Sequence, residues 1–179
     1  MTPTQRGVAA GMAAALAVTL AITLWCASGS PGLVLPFHMV GLTQRWTLAG
    51  ACWLGPLVAL AAAIGAVANR RFVSREDIDG AGLTLEGSSI RVPRAILANT
   101  VEQAVLAIPV YTALALFLPV RQLPLPALLS LAFVIGRIAF ALGYARGATA
   151  RSIGFALTFY PTVAGLVVMS LTLARRLAG

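Results

Sequence analysis

Two charged residues lie deep inside apolar sequence. Glu102 follows Asn99 by three residues in the run ILANTVEQAV (96–105), and Arg137 stands alone in LAFVIGRIAF (131–140). Tyr144, Arg151 and Ser152 come soon after. Arginine holds carboxylates, asparagine offers both a donor and an acceptor, and a glutamate accepts from an ammonium. Together these groups suit an anionic, peptide-like guest. An arginine beside a thiol also favours the thiolate, lowering its pKa and making it a nucleophile. No nucleophile of the Ser-His or Cys-His kind accompanies them, because the single histidine, His38, belongs to a distant loop. Chemistry here would use a reactive atom that arrives with the ligand.

The elements that position these residues follow from composition. The chain has 179 residues, 59% hydrophobic and 10% charged, with a mean hydropathy of +0.91. A soluble domain carries about 25% charged residues, so the composition is that of an integral membrane protein. Five stretches supply roughly the 20 apolar residues that a spanning helix needs: 7–27, 46–68, 95–118, 124–144 and 152–174. The fold class is therefore all-α. The first stretch is read as an uncleaved helix, because Arg6 alone is a thin charged region and the apolar run is long for a signal peptide. Thr23-Leu24-Trp25 lacks the small residues expected before a lipidated cysteine at Cys26.

The net charge of +8 rests on 13 basic residues, all arginine. They are scattered over short loops rather than gathered on one solvated face, which excludes nucleic acid as a partner. Their distribution instead sets orientation. With five spans, Arg6, the loop 69–94 and the loop 145–151 share one side with eight arginines, against Arg45, Arg121, Arg175 and Arg176 opposite. Arginine-rich loops stay cytoplasmic, so the expected topology is N-terminus in the cytoplasm and C-terminus outside.

On that topology the polar residues meet at one depth. Glu102 lies nine residues past Pro93, about 13 Å along a helix axis. Arg137 lies seven residues before Tyr144, about 10 Å from its own helix end. An unpaired charge there costs on the order of 2.5–3.5 kcal/mol, so Glu102 and Arg137 are expected to pair. Asn99 shares a helix face with Glu102, Tyr144 shares one with Arg137, and Arg151-Ser152 open the last helix on the same side. The expected result is a polar pocket open to the cytoplasm, its positive helix end favouring an anion.

Other features read as structural. Cys26 and Cys52 are expected to be packed thiols rather than a disulfide framework. His38 has no second ligand nearby for a metal. Pro93 is placed at the first turn of the third helix, whereas Pro109 and Pro161 fall inside helices. Gly7 with Gly11, and Gly143 with Gly147, would permit close helix approach.

Three local patterns in order resemble the MAPEG family, the membrane-associated proteins in eicosanoid and glutathione metabolism. They are RRFVSRED (70–77), Asn99-Thr100-Val101-Glu102, and Arg137-x6-Tyr144 followed by Arg151-Ser152, across residues 46–175. The resemblance implies a four-helix membrane domain over 46–179, assembled as a homotrimer, with 1–45 forming an extra N-terminal transmembrane helix and outer loop. It is to a divergent bacterial-type member, which implies the bacterial inner membrane. It also implies glutathione as co-substrate near the cytoplasmic side between subunits, contacted by Asn99, Glu102, Arg137, Tyr144 and Arg94. Arg151 would stabilise the thiolate, with Ser152 beside it. The chain departs from the family pattern at Ile96, Leu97 and Ala98 before Asn99, at Arg94 (displaced by one position), and at Phe140 and Phe155. These changes imply weak glutathione binding or a more apolar guest.

The leading functional expectation is a glutathione-dependent transferase or peroxidase acting on a lipophilic electrophile in contact with membrane lipid. The alternative is a non-catalytic scaffold binding a lipid or partner helices, with Glu102 and Arg137 as packing groups. A small transporter ranks last, because the outer halves of the third to fifth helices carry almost no charge.

Overall fold

The computed structural model describes residues 1–29, 41–79 and 87–179. His38 and Glu86 lie outside the described residues. Among the described residues five helices run in sequence: α1 (Pro3–Ala27), α2 (Leu42–Val73), α3 (Ser88–Phe117), α4 (Pro124–Tyr144) and α5 (Ala148–Ala178), with a 3₁₀ turn (Val120–Gln122) between α3 and α4. Each is long and apolar enough to cross a membrane. The chain is an all-helical integral membrane protein.

Local chemistry sets the helix ends. Thr2 accepts from the Gln5 N–H at 3.2 Å while the Gln5 side chain accepts from the Thr2 N–H at 2.8 Å, a reciprocal cap with Pro3 in the first turn. The 32 residues of α2 span about 48 Å, well beyond the ~30 Å hydrocarbon layer. Its last turn, with Arg70 and Arg71, overhangs the apolar zone. The overhang leads to Asp77, which is buried. Its carboxylate accepts from the Gly87 N–H at 2.7 Å, the Ser74 hydroxyl at 2.8 Å and the Ser89 hydroxyl at 3.2 Å. The Gly87 N–H is the first of these causes to hold the Asp77 carboxyl below the usual carboxylate range, followed by the Ser74 hydroxyl.

That anchor corrects the expected start of α3. The helix begins at Ser88, ahead of the apolar stretch that starts at 95, so Pro93 lies inside it rather than in its first turn. The stretch 88–94 is too polar to extend the apolar run, and its helical start is tied to Asp77 through Gly87 and Ser89.

The core lies among α2, α3 and α4, around Cys52, Tyr111, Leu114, Leu129 and Phe133, with α5 packed against it. With no apolar-versus-water contrast between helices in lipid, hydrogen bonds and close packing supply specificity. The Tyr111 hydroxyl lies 3.2 Å from both the Leu129 carbonyl and the Thr162 hydroxyl. Trp53 Nε1 donates to Thr112 at 2.8 Å, tying α2 to α3. Cys26 and Cys52 are both buried and not joined by a disulfide, as expected of packed thiols.

α1 lies along α5. Gly7 faces Thr149 and Gly11 faces Ser152 so closely that neither position has room for a side chain. Gly143 likewise meets the Ala150 backbone across the α4–α5 seam. Gly147 acts through its backbone instead, supplying the left-handed turn into α5 at φ 100°.

At the opposite end of the bundle, arginines close helix termini. Arg45 Nη1 donates to the carbonyls of Ala115, Leu116 and Leu118 at 3.1, 3.0 and 2.9 Å. These are among the last carbonyls of α3, which lack partners within the helix. Arg176 Nη2 donates to the Phe117 carbonyl at 2.8 Å.

Candidate functional site

The tight turn through Gly147 brings the end of α4 against the first turn of α5. Tyr144 closes α4, Arg151 lies in the first turns of α5, and the Arg151 guanidinium sits 4.6 Å from the Tyr144 ring centre. This cation–π contact orients the arginine without neutralising it. Among the described residues no carboxylate pairs with Arg151.

Tyr144, Arg151 and Ser152 line one cavity of about 370 Å³ together with Asn99 from α3. Four of the seven expected site residues therefore share a wall. The volume is at the lower end of the ~300–1,000 Å³ usual for small-molecule sites. The rest of the lining is apolar: Phe140 and Phe155 from α4 and α5, Ala95 and Ala148, and Val8 and Met12 from α1. Phe140 meets Tyr144 edge-to-face at 5.3 Å, and Phe155 stacks on Phe159 at 5.7 Å. The expected loss of polarity at Phe140 and Phe155 thus falls on the cavity wall itself.

Ser152 is buried, and its hydroxyl donates to the Thr149 carbonyl at 2.8 Å. Its one proton is engaged there, so towards the cavity the oxygen acts as an acceptor. A thiol could donate to it, whereas a thiolate would gain nothing from it until the rotor turned.

The expected Glu102–Arg137 ion pair is not formed; Asn99 stands between the two. Arg137 Nη1 donates to Asn99 Oδ1 at 2.9 Å, and Asn99 Nδ2 donates to Glu102 Oε2 at 3.2 Å. The reason is rotational. Residues three apart on a helix differ by about 60° in azimuth, and Arg137 meets α3 on the Asn99 side. Glu102 is left on an exposed face of α3 and lines no described cavity wall. Helix depth picks out the right neighbours but not the contact between them.

Arg137 is buried, and its guanidinium stacks on Phe140 at 4.2 Å. Its Nε and Nη2 have no hydrogen-bond partner among the described residues. It lies in the partition between the candidate site and a second cavity of about 410 Å³ among α2, α3 and α4. That cavity is almost wholly apolar, walled by Ala59, Ala62, Ala63 and Ile96, with Thr100 and the stem of Arg137 as its polar residues. Arg94 is exposed in the early turns of α3 and lines neither cavity.

Val8 and Met12 were not expected at the site from sequence, because α1 carries no polar residue that marks one. The Gly7–Gly11 pair was the available signal, since it predicts that α1 approaches another helix closely.

The family model for the MAPEG family matches residues 45–171, from the first turn of α2 to near the end of α5, and leaves α1 outside. No curated protein and no solved structure matches the chain. Because the matched segment takes in most of the sequence and holds Asn99, Arg137, Tyr144, Arg151 and Ser152, the chain belongs to the MAPEG family.

Proposed function

We propose that the protein is a glutathione-dependent membrane transferase or peroxidase acting on a lipophilic electrophile. The observation that carries this reading is the convergence of Asn99, Tyr144, Arg151 and Ser152 on one cavity at the start of α5. The MAPEG family includes glutathione-dependent transferases as well as non-catalytic members, so the site must decide between them.

The residues present fit a thiol-bearing peptide. Arg151 is a cation without a carboxylate partner among the described residues, placed where the N-terminal end of α5 adds positive potential. Both effects favour a thiolate over a thiol. Ser152 Oγ can receive the S–H proton's hydrogen bond before ionisation. Asn99 is held by Arg137 on one side and Glu102 on the other, so its amide is fixed in orientation for a peptide group. Glutathione supplies the sulfur nucleophile. With an alkylating electrophile, a C–S bond forms as the leaving group departs with its electron pair. With a hydroperoxide, the O–O bond breaks, one oxygen goes to sulfur and the other leaves as the alcohol. A second thiol then completes the reduction, giving disulfide and water. Most of the rate gain would come from positioning and thiol ionisation.

In this reading the chain works as a homotrimer in the bacterial inner membrane, N-terminus cytoplasmic and C-terminus outside, with its electrophile drawn from the lipid. The test is calorimetric titration of the detergent-purified protein with glutathione, followed by conjugation of a small aryl halide. Saturable binding and an adduct formed only with protein are expected. If millimolar glutathione gives neither heat nor adduct, the chain is a non-catalytic family member, and the Arg137–Asn99–Glu102 chain is packing.

A further inference from the structure

Within the proposed thiol site, α1 differs from the other helices in bringing no polar group to the lining. Polar groups come from α3, α4 and the first turn of α5, whereas α1 contributes only Val8 and Met12. α1 is also the helix that the family match leaves out. Its position is specified by its own sequence: Gly7 and Gly11 let it press onto Thr149 and Ser152, and the Thr149 hydroxyl donates to the Thr4 carbonyl at 3.4 Å. One turn separates Gly7 from Gly11, and Val8 and Met12 follow them with the same four-residue spacing. The stripe that docks α1 therefore carries a second stripe, offset by one residue, onto the cavity.

We propose that α1 forms the subsite for the lipophilic co-substrate, with Val8 and Met12 as its specificity-determining residues. The proposal rests on the thiol reading above. Arg151 and Ser152 place the reacting sulfur at the start of α5, and Ser152 is also the residue that Gly11 touches. The electrophile that this sulfur attacks must put its apolar body against the apolar part of the lining. α1 supplies Val8 and Met12 to that lining, beside Phe140 on α4 and Phe155 on α5. The ligand class is an uncharged electrophile with a compact alkyl or aryl body. Charged electrophiles are disfavoured there because α1 offers no partner for them. With the cavity at about 370 Å³, α1 sets an upper limit on the size of that body. Met12 tunes it, since its unbranched thioether adapts to several shapes.

S-Alkylglutathiones, from S-methyl to S-octyl, test this because they carry the thiol-peptide and the apolar body in one molecule. Binding to the full-length protein would be measured by calorimetry, without turnover. In the wild type, affinity is expected to rise by about fourfold per buried methylene and then to level off when the cavity is full. Met12→Trp should move the plateau to shorter chains, and Met12→Ala to longer ones. Val8→Phe should act as Met12→Trp does, which guards against one variant folding poorly. The same plateau in all four proteins, with S-methylglutathione bound normally, would overturn the α1 subsite and leave the thiol site standing. No binding of any S-alkylglutathione to the wild type would overturn the thiol reading and the subsite together.

Discussion

The two ends of this bundle use arginine in opposite ways. At one end, Arg45 commits a single nitrogen to three terminal carbonyls of α3, and Arg176 donates to a fourth carbonyl nearby. Charge there completes a helix end, and no described cavity wall includes either residue. At the other end, Arg151 leans on the Tyr144 ring and faces a cavity, with no carboxylate partner among the described residues. The comparison separates a satisfied guanidinium, which stabilises fold, from an unsatisfied one, which is available to a ligand. Arg137 stands between these cases. One of its nitrogens is engaged by Asn99, while Nε and Nη2 are buried without partners among the described residues.

This contrast makes predictions that differ in kind as well as in size. Arg151→Ala should lower conjugation turnover by roughly 10²–10³-fold, the usual loss when one charge-stabilising group is removed, and leave the thermal midpoint nearly unchanged. An equal loss of stability and activity would place Arg151 with Arg45. Arg45→Met should do the reverse. Losing hydrogen bonds from a charged donor to helix-end carbonyls costs about 1.5–3 kcal/mol, read as a lower Tm in detergent, while thiol affinity stays within about twofold.

Arg137→Met keeps an apolar stem in the second cavity and removes a buried charge. Stability should hold or rise, as it often does when a buried ion is replaced by a well-packed apolar side chain. Thiol affinity should fall by about tenfold, since Asn99 loses the donor that fixes its amide, worth about 1.4 kcal/mol. A fall in Tm without a change in affinity would make Arg137 a packing residue only.

The smallest effect lies outside both ends' arginines. Asp77 has a depressed carboxyl pKa because the Gly87 N–H, then Ser74, bind its charged form. Such a group contributes stability fully above its unfolded value of about 3.9 and loses that contribution as pH falls through its lower folded value. The wild type should therefore lose Tm below about pH 4, and Asp77→Asn should flatten that acid limb while lowering Tm at neutral pH. Thiol binding at neutral pH should not change.

Much of the fold was legible because lipid imposes a coarse rule. Five long apolar runs in a chain with five carboxylates have few other destinations. Helix ends were less legible where polar residues continue a helix beyond the apolar zone, as in α2 past residue 68 and α3 before residue 95. There the start of α3 is tied to Asp77 through Gly87 and Ser89, a contact that no periodicity encodes. At the site, helix depth gathered Asn99, Arg137, Tyr144, Arg151 and Ser152; four of them line one cavity, and Arg137 bonds to Asn99. Azimuth was harder to read: a difference of about 60° put Asn99 rather than Glu102 against Arg137. The contribution of α1 was hidden because Val8 and Met12 look like any lipid-facing residues. The packing of Gly7 and Gly11 is what sets them at the edge of the cavity.

The central claim is that Arg151 makes a bound thiol acidic. It is tested most directly by titrating the thiolate absorbance of glutathione bound to the wild-type protein across pH, with Arg151→Ala beside it. The account predicts that the bound thiol ionises at least about one pH unit below the free thiol's value of roughly 8.5, and that the variant returns it to that value. A bound thiol that titrates like free glutathione in both proteins would contradict the account.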